Sequence, residues 1–556
     1  MSNDSFMQSG AGAGVVVGAG AVAGAGVVVG AGAGVSAVAG EPASFIAPGY
    51  KSENLFKPDM FDFLMAIVTF GLGYMFSRWV LFLWQGWGVS VFTTAYLLFT
   101  TAYMIKKGVF KASRAAFFWM GITWLTGLSC GLWGNVGFSA TRALFHFCAA
   151  VYFILAASGR QIMGKTGNYL LVDGLRTVIL IPFRNIINQY VSFSVIGRGG
   201  RRGKVLPVLL GVLLAIIIAA FLIPMLEQAD SGGFGLILGF FRNIFRFDAL
   251  EVFFYAFLSI PIAAYIYGLV SGVAFGKGTD DIKPESAEKT VAAMRVFQPA
   301  TVLTVLGVVC VIYIVFILSQ IPYFFSAFTG RRPAGWLIYS EYARRGFFEL
   351  SGIATANLAI LTVCNVISKK QRIESWILKL FNVVLAAITL VLIATAMSKM
   401  ALYISAYGLT MLRLLPCVFM VFMAMVFIAV IVLQKLKFQI VRFALVMGSV
   451  VLCLLCLSNP DALVVRYNAD RYIGGSLPKF DMEIVRRAGA AGILPAIDVY
   501  YETDDPVLRG ELAHYLSSEV LWRADYLGIS PSAAHGFSLE SYIARERLTS
   551  IDFETP

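Results

Sequence analysis

The chain has 556 residues, of which 58% are hydrophobic and only 14% are charged, and its mean hydropathy is +0.78. Soluble globular proteins have about 45–50% apolar and about 25% charged residues, so this apolar excess excludes an ordinary soluble protein. The net charge of +12 does not indicate nucleic-acid binding, because cytoplasmic loops of membrane proteins collect Lys and Arg and no basic stripe alternates with aromatic residues. The composition predicts an all-α polytopic integral membrane protein.

Residues 1–58 precede the first long apolar run that contains bulky side chains. Within them, residues 11–40 carry no charge and consist almost wholly of Gly, Ala and Val, with a twelve-residue unit that starts at Gly12 and again at Gly24. Glycine is a poor helix former, by about 1 kcal/mol per residue. We expect a low-complexity, disordered N-terminal tail, and the alternative is an additional, marginal membrane span.

Apolar runs long enough to cross a bilayer recur between residues 59 and 458, which we expect to form the transmembrane domain. Eleven helices are predicted: 61–83, 88–105, 115–134, 141–158, 205–226, 250–275, 300–320, 347–367, 376–397, 411–434 and 440–457. Tryptophans close the first of these runs and precede the eighth, as is typical of residues at a membrane interface.

The loops between these helices predict the orientation. If the approach to the first helix is cytoplasmic, the loops on that side hold 24 Lys and Arg and those on the other side hold seven. The positive-inside rule therefore favours a multi-pass protein of the cell (inner) membrane with a cytoplasmic N-terminal approach. An odd number of spans then predicts an extracytoplasmic C-terminus.

The loop 159–204 is too polar to span the membrane. It mixes aliphatic residues with Arg176 and Arg184, which predicts a pair of amphipathic helices at the cytoplasmic surface that contact anionic lipid headgroups. Residues Gly159–Thr166 match the phosphate-binding pattern GxxxxGK[ST]. Because a membrane-length run precedes this match and fewer than about 45 residues follow it before the next span, no nucleotide-binding domain fits there.

Residues 459–556 are acidic, with nine Lys and Arg against fifteen Asp and Glu, and we expect them to form an α-helical extracytoplasmic domain. Asp504 and Asp505 before Pro506 predict the start of a helix. An earlier segment, DMEIVRRAGAAGILPAIDVY, is predicted to be a helix pair broken near Gly492.

The sequence offers little catalytic chemistry. The three histidines are far apart, and Cys453 and Cys456 form a CxxC within an apolar run, so neither a metal site nor a disulfide framework is indicated and we expect no cofactor. The central helices carry few carboxylates, which disfavours proton coupling. Asn357, Asn365 and Asn382 are expected to form hydrogen bonds between helices.

One segment carries four arginines on the extracytoplasmic side of the membrane, where the positive-inside rule predicts few. It begins at Gly330 and includes Glu341, Arg344, Arg345 and Glu349, which are spaced to form ion pairs on a helix. One interpretation is a salt-bridged start of a helix, and the other is a cluster that receives an anionic ligand or the carboxylate of a protein partner. A second segment, SKMALYISAYGLTMLRL, would lie on the same face. The candidate ligand-binding residues are Glu341, Arg344, Arg345, Glu349, Tyr403, Tyr407 and Arg413.

These segments, together with LLVDGLRTVILIPFRNI and NPDALVVRYNADRYI, carry a resemblance to a known family. The sequence is similar over roughly residues 140 to 500 to a bacterial family of polytopic membrane proteins, a domain of unknown function of the 4173/4153 type. The most specific pieces are YSEYARRGFFEL, ALYISAYGLTMLRL and the RYN of residues 466–468. The resemblance implies a cell-membrane protein with a helical C-terminal part and implies no reaction.

Three classes of function remain. We favour a non-catalytic membrane component that binds a ligand or a partner, such as a sensor or a scaffold. The alternatives are a transporter that is not coupled through an intramembrane carboxylate, and a membrane-embedded enzyme that acts on a lipid-linked substrate.

Overall fold

The computed structural model describes residues 56–551, except 83, 135, 165, 168, 198–224, 227–248, 277, 279–283, 329–338, 370–374, 437–438 and 530–537. The described part is helical, without a β-strand, and ten of its helices are long and apolar enough to cross a membrane. The predicted all-α polytopic class is confirmed, and ten of the predicted spans have a matching helix. The span at 205–226 and the tail at 11–40 fall outside the described residues, apart from Met225 and Leu226.

The first four long helices are antiparallel neighbours joined by short turns. The first begins with a capping box, in which the Asp59 carboxylate accepts from the Asp62 amide at 2.8 Å and the Asp62 carboxylate accepts from the Asp59 amide at 2.9 Å. The hydroxyl of Ser113 caps the third helix. These helices are α1 (Met60–Trp79), α2 (Trp87–Lys106), α3 (Arg114–Leu132) and α4 (Ser139–Ser158).

We call the two ends of these helices the tryptophan end, where Trp79, Trp84 and Trp133 lie, and the lysine end, where Lys107 and Lys111 lie. The chain crosses between the two ends once in each helix. All positions below are given relative to these two ends.

At the lysine end, residues 170–197 form a run of short helices, which we call the short-helix segment. Buried polar side chains such as Asn188 and Gln189 face the long helices, whereas Leu171, Leu175 and Ile187 are 81%, 62% and 65% exposed. Because its exposed side chains are apolar and its polar side chains face the protein, the outer face of this segment is suited to contact with lipid. The helices are α5 (Leu170–Leu175), a π-helical turn (Arg176–Leu180), α6 (Ile181–Arg184), α7 (Asn188–Ser192) and α8 (Ser194–Gly197).

The next long helix, α9 (Ala249–Phe275), packs against α1 and the short-helix segment. Glycines allow these backbones to approach closely. A Cβ atom on Gly73 would lie 2.6 Å from the carbonyl oxygen of Ser259, and one on Gly268 would lie 2.6 Å from that of Pro182. Helices α1–α4, α9 and the short-helix segment share one apolar core, and we call them the first bundle. A short helix, α10 (Pro284–Ala293), follows.

Four long helices with a separate apolar core form the second bundle. Asparagines link them as expected: Asn357 donates to the Thr389 hydroxyl at 2.9 Å, and the amides of Asn365 and Asn382 bond to each other at 3.1 Å. These helices are α11 (Pro299–Phe328), α12 (Tyr339–Ile367), α13 (Trp376–Tyr407) and α14 (Met411–Leu433). The last long helix, α15 (Ile440–Leu457), packs against both α14 and α3 and so lies between the two bundles.

Three helices of the second bundle are longer than predicted. Helix α11 continues for eight residues past the predicted end at 320. Helix α13 continues for ten residues past the predicted end at 397, and α12 begins eight residues before the predicted start at 347. The polar residues Ser398 and Lys399 mark the end of the apolar run but do not end the helix, because α12 and α13 continue to pack on each other there.

The C-terminal residues form five helices around a third apolar core. Asp505 caps the helix that begins at Pro506 by accepting from the Val507 amide at 3.0 Å, which confirms the predicted start. The predicted helix pair is present, and its break lies at Gly489, three residues before Gly492. Gly489 has a φ of 58°, a conformation that glycine adopts without strain. The helices are α16 (Pro460–Ile473), α17 (Met482–Ala488), α18 (Ala490–Glu502), α19 (Pro506–Ile529) and α20 (Leu539–Thr549).

Candidate functional site

The described part of the arginine-rich segment, from Tyr339 onward, forms the start of α12 at the tryptophan end, and Arg331 and Arg332 are outside the described residues. The Nε atom of Arg345 lies 2.8 Å from the Oε1 atom of Glu349, and the two side chains are 66% and 60% exposed. The side chain of Arg344 is exposed as well, whereas that of Glu341 falls outside the described residues. The predicted ion pair between Arg345 and Glu349 is confirmed, and an exposed pair of this kind contributes at most about 1 kcal/mol.

Tyr403, Tyr407 and Arg413 come together around the turn between α13 and α14. The rings of Tyr403 and Tyr407 pack edge to face at 5.3 Å, and the guanidinium of Arg413 lies 4.1 Å from the centre of the Tyr403 ring. Arg413 also donates to the carbonyl oxygen of Tyr407 at 2.8 Å and to that of Gly408. This arginine therefore caps the end of α13.

The two predicted halves of the site share one end of the second bundle. The side chain of Lys399 on α13 lies over Gly346 on α12, where a Cβ atom would be 2.8 Å from its Nζ atom. Gly346 adjoins Arg345, and Lys399 is one turn from Tyr403. Whether these residues bind an anion stays a prediction.

The turn beside Arg413 is held by the first of the C-terminal helices. Asn468 on α16 donates to the carbonyl oxygen of Leu409 and accepts from its amide, both at 2.7 Å. Arg471 donates to the carbonyl oxygens of Ile404 and Ser405 at 3.2 and 2.9 Å. Two of the most specific segments of the family resemblance, ALYISAYGLTMLRL and the RYN that ends in Asn468, are therefore in contact. They fix the C-terminal helices to the second bundle.

A second joint fixes the same helices to the first bundle, at the loop between α3 and α4. Asp461, in the first turn of α16, accepts from the Gly137 amide at 3.0 Å, and Glu540 of α20 accepts from the Gly134 amide at 3.0 Å. Both carboxyl groups are buried. Burial raises the pKa of Asp461 to about 6, with a further increase from the nearby Glu540 and opposing effects from the Gly137 amide and Arg142.

Under this loop lies a buried arginine that the sequence analysis did not single out. The guanidinium of Arg142 donates to the carbonyl oxygens of Trp133 at 3.1 Å and of Ser129, Trp84 and Gly134 at 3.4 Å. One turn further along α4, the imidazole of His146 lies between the hydroxyls of Thr93 and Thr126. The sequence did contain a signal for Arg142. It is a charged residue in a predicted membrane span, and such residues are energetically costly there and usually have specific partners.

At the lysine end, the carboxylate of Asp62 is buried and paired. The Lys107 ammonium and the Tyr103 hydroxyl each donate to it at 2.8 Å. The hydroxyl of Tyr267 bonds to Ser192 of the short-helix segment at 2.8 Å, and it donates to the Asp62 carbonyl oxygen at 3.3 Å. These contacts fasten the start of α1 to α2, α9 and α7.

A cavity of about 770 Å³ lies between the two bundles, beside α15. We call it the inter-bundle cleft. Apolar side chains dominate its lining, and Thr141, Tyr152, Thr177 and Ser449 supply the hydroxyls. Its other lining residues include Phe138, Phe145, Leu170, Leu175, Leu415, Phe419, Phe422, Ala444, Gly448, Leu452 and Leu455.

Further polar groups lie near the lysine end of the cleft. The Tyr152 hydroxyl bonds to that of Thr166 at 2.7 Å, and Arg442 interacts with Tyr152 electrostatically. Asp173 accepts from the Ile162 amide at 3.1 Å, and burial raises its pKa. The segment that matches GxxxxGK[ST] ends here at Thr166, and its Lys165 is outside the described residues.

The comparisons with known proteins agree with the resemblance seen in the sequence. Residues 120–499 match the family model described as "Domain of unknown function (DUF4153)". No curated protein and no solved structure matches the chain. The matched region begins in α3 and ends in α18, so it contains the lining of the inter-bundle cleft except Trp119, the whole first joint, and the Asp461–Gly137 contact of the second joint. Glu540 lies outside it. Because the match covers more than half of the chain, this multi-pass membrane protein belongs to the DUF4153 family.

Proposed function

We propose that this protein is a non-catalytic component of the cell membrane that binds an anionic phospholipid, with one acyl chain in the inter-bundle cleft. The observation that carries the proposal is the cleft itself: a largely apolar cavity of about 770 Å³ between two bundles of membrane-length helices. Ligand pockets have volumes of about 300–1,000 Å³ and few, well-placed polar groups, and the cleft has both properties.

The length of the cleft suits a chain from one leaflet. Along α4 it is lined from Thr141 to Tyr152, which at 1.5 Å per residue is about 17 Å. The hydrocarbon core of a bilayer is about 30 Å thick, so the cleft covers roughly half of this depth. An acyl chain with its headgroup at one end of the cleft would fit this length.

The charges near the cleft favour an anionic headgroup at the lysine end. Arg442 is exposed at the start of α15, two residues before the lining residue Ala444. The described part of the basic loop 159–204 adjoins the same end. Each Lys or Arg near an anionic membrane surface contributes about 1 kcal/mol to binding. We assign this end to the cytoplasm, as the distribution of Lys and Arg indicates.

The lining supports binding rather than catalysis. Hydroxyl groups and the thiol of Cys148 are its reactive side chains, and the described lining residues include neither a carboxylate nor an imidazole. General acid–base chemistry depends on such groups. Conversion of the bound lipid by the purified protein would contradict this part of the proposal.

The test is to fill the cleft and count the lipids that the protein retains. Leu452→Trp would place an indole in the cleft, whereas Leu454→Trp makes the same change at a side chain of the same helix that is 61% exposed. Phospholipid that co-purifies after exchange into detergent would be quantified by mass spectrometry. We expect Leu452→Trp to lose the tightly held lipid and Leu454→Trp to retain it. Equal retention by the two variants would refute the proposal.

A second pair of variants tests the headgroup. Arg442→Gln should reduce the preference for anionic over zwitterionic phospholipid, because it removes a positive charge beside Tyr152. Arg487→Gln removes an exposed charge of the C-terminal helices, where Arg487 pairs with Glu483, and should leave that preference unchanged. If both variants keep the wild-type preference, the headgroup is not bound at the lysine end.

The arginine segment at the tryptophan end is a second candidate binding surface, for an anionic ligand or a protein partner. The exposure of Arg344 and of the Arg345–Glu349 pair supports this proposal. Against it, Arg413 already bonds to two backbone carbonyl groups. We therefore consider this surface a weaker candidate binding site than the inter-bundle cleft.

A further inference from the structure

The last helix, α20, begins between the ends of two membrane-spanning helices. Its residue Glu540 accepts a hydrogen bond from Gly134, two residues after the end of α3, and another from Asn459, two residues after the end of α15. These two ends are themselves joined, because the Trp133 indole donates to the Leu457 carbonyl oxygen at 2.9 Å. The first turn of α20 is therefore held at the level where the membrane helices end.

One face of α20 is apolar and exposed at this end. Leu539, Tyr542 and Ile543 are 49%, 62% and 42% exposed, and their spacing of three and four residues places them on one side of the helix. The opposite side is filled, because Ala544 and Leu548 are buried in the core of the C-terminal helices. The apolar stripe is thus not part of that core.

The polarity of α20 changes along its length. The exposed apolar residues lie in its first five positions, and the exposed Arg545, Glu546 and Arg547 lie in its second half. From Leu539 to Arg547 the helix rises by about 12 Å. Glu540 holds the apolar first turn against the ends of the membrane helices, and the charged residues follow later in the helix. Tyr542 is also a residue type enriched at membrane–water interfaces.

We propose that the Leu539–Tyr542–Ile543 stripe of α20 inserts into the bilayer surface at the tryptophan end, so that the C-terminal helices rest on lipid as well as on the two joints. The occupant is the acyl–headgroup boundary of that leaflet, into which amphipathic helices bury an apolar face to a depth of about 5–10 Å. This inference does not depend on the lipid in the inter-bundle cleft.

The test is site-specific photo-crosslinking of the full chain in bilayer nanodiscs that contain a clickable phospholipid. A benzophenone amino acid would replace Tyr542, and the control would place it at Tyr501, a 58% exposed tyrosine on α18, a helix that packs mainly on other C-terminal helices. Both positions are exposed, so both variants should fold.

We expect the yield of the lipid adduct to be several-fold higher at position 542 than at position 501. Equal yields at the two positions would overturn the inference. A crosslink from position 542 to another protein chain, in place of lipid, would overturn it as well, because it would identify the stripe as a protein interface.

Discussion

The buried carboxyl group of Asp461 makes the stability of the joint between α16 and the α3–α4 loop depend on pH. Burial raises its pKa from 3.8 to about 6. Between pH 4 and pH 6, the carboxyl group is therefore protonated in the folded protein and ionised in the unfolded chain. A difference of about two pKa units corresponds to about 3 kcal/mol, at 1.36 kcal/mol per unit. This contribution is fully present below about pH 4, and it is lost as the pH rises through about 6.

Asp461→Asn removes this titration and keeps an oxygen that can accept from Gly137. We expect the free energy of unfolding of the wild type, relative to this variant, to fall by up to about 3 kcal/mol between pH 4 and pH 7. Denaturation in detergent at a series of pH values measures the difference. Asp498→Asn is the matched control, because the exposed Asp498 pairs with Arg466 on the surface of the same helices. Parallel curves for the wild type and Asp461→Asn would refute the reasoning.

Three further outcomes are expected. A reporter that is active only outside the cytoplasm should be active when fused after residue 470 and silent within residues 160–200, and the reverse pattern would overturn the proposed orientation. Replacing both Arg344 and Arg345 by Gln should change the free energy of unfolding by less than about 1 kcal/mol. If this variant fully complements a deletion strain, there is no anion site at these residues. Loss of function at normal abundance, with poor rescue by Lys at both positions, would support an anion site. Gly272→Val should weaken the packing of the short-helix segment on α9, because a Cβ atom there would lie 2.4 Å from the side-chain Nδ2 atom of Asn185, whereas Gly71→Val, with open space around it, should be tolerated. Equal abundance and thermal stability of the two variants would contradict this packing.

The membrane helices could be predicted because their signal is local. An apolar run of sufficient length fixes each helix regardless of its neighbours, and the observed ends of α2 and α15 lie within one residue of those predicted. Helix ends that are set by packing against another helix were not predicted correctly. The polar residues at 398 and 399 indicated the end of α13, yet contact with α12 at Gly346 keeps this part helical.

The joints between parts of the fold could not be predicted, because they connect residues far apart in sequence. Nothing local relates Asn468 to Leu409, or Asp461 to Gly137. The inter-bundle cleft likewise depends on how α4, α14 and α15 pack together. Arg142 is the exception: its position within an apolar run was visible in the sequence, but its partners, which are backbone carbonyl groups, were not.

The most direct test of the proposed lipid binding is an experimental density map of the full chain in nanodiscs made with native phospholipid. We expect continuous density of the width of one acyl chain in the inter-bundle cleft, from Thr141 to Tyr152, with headgroup density beside Arg442. A cleft closed by its own side chains, or filled by another segment of the polypeptide, would contradict the account.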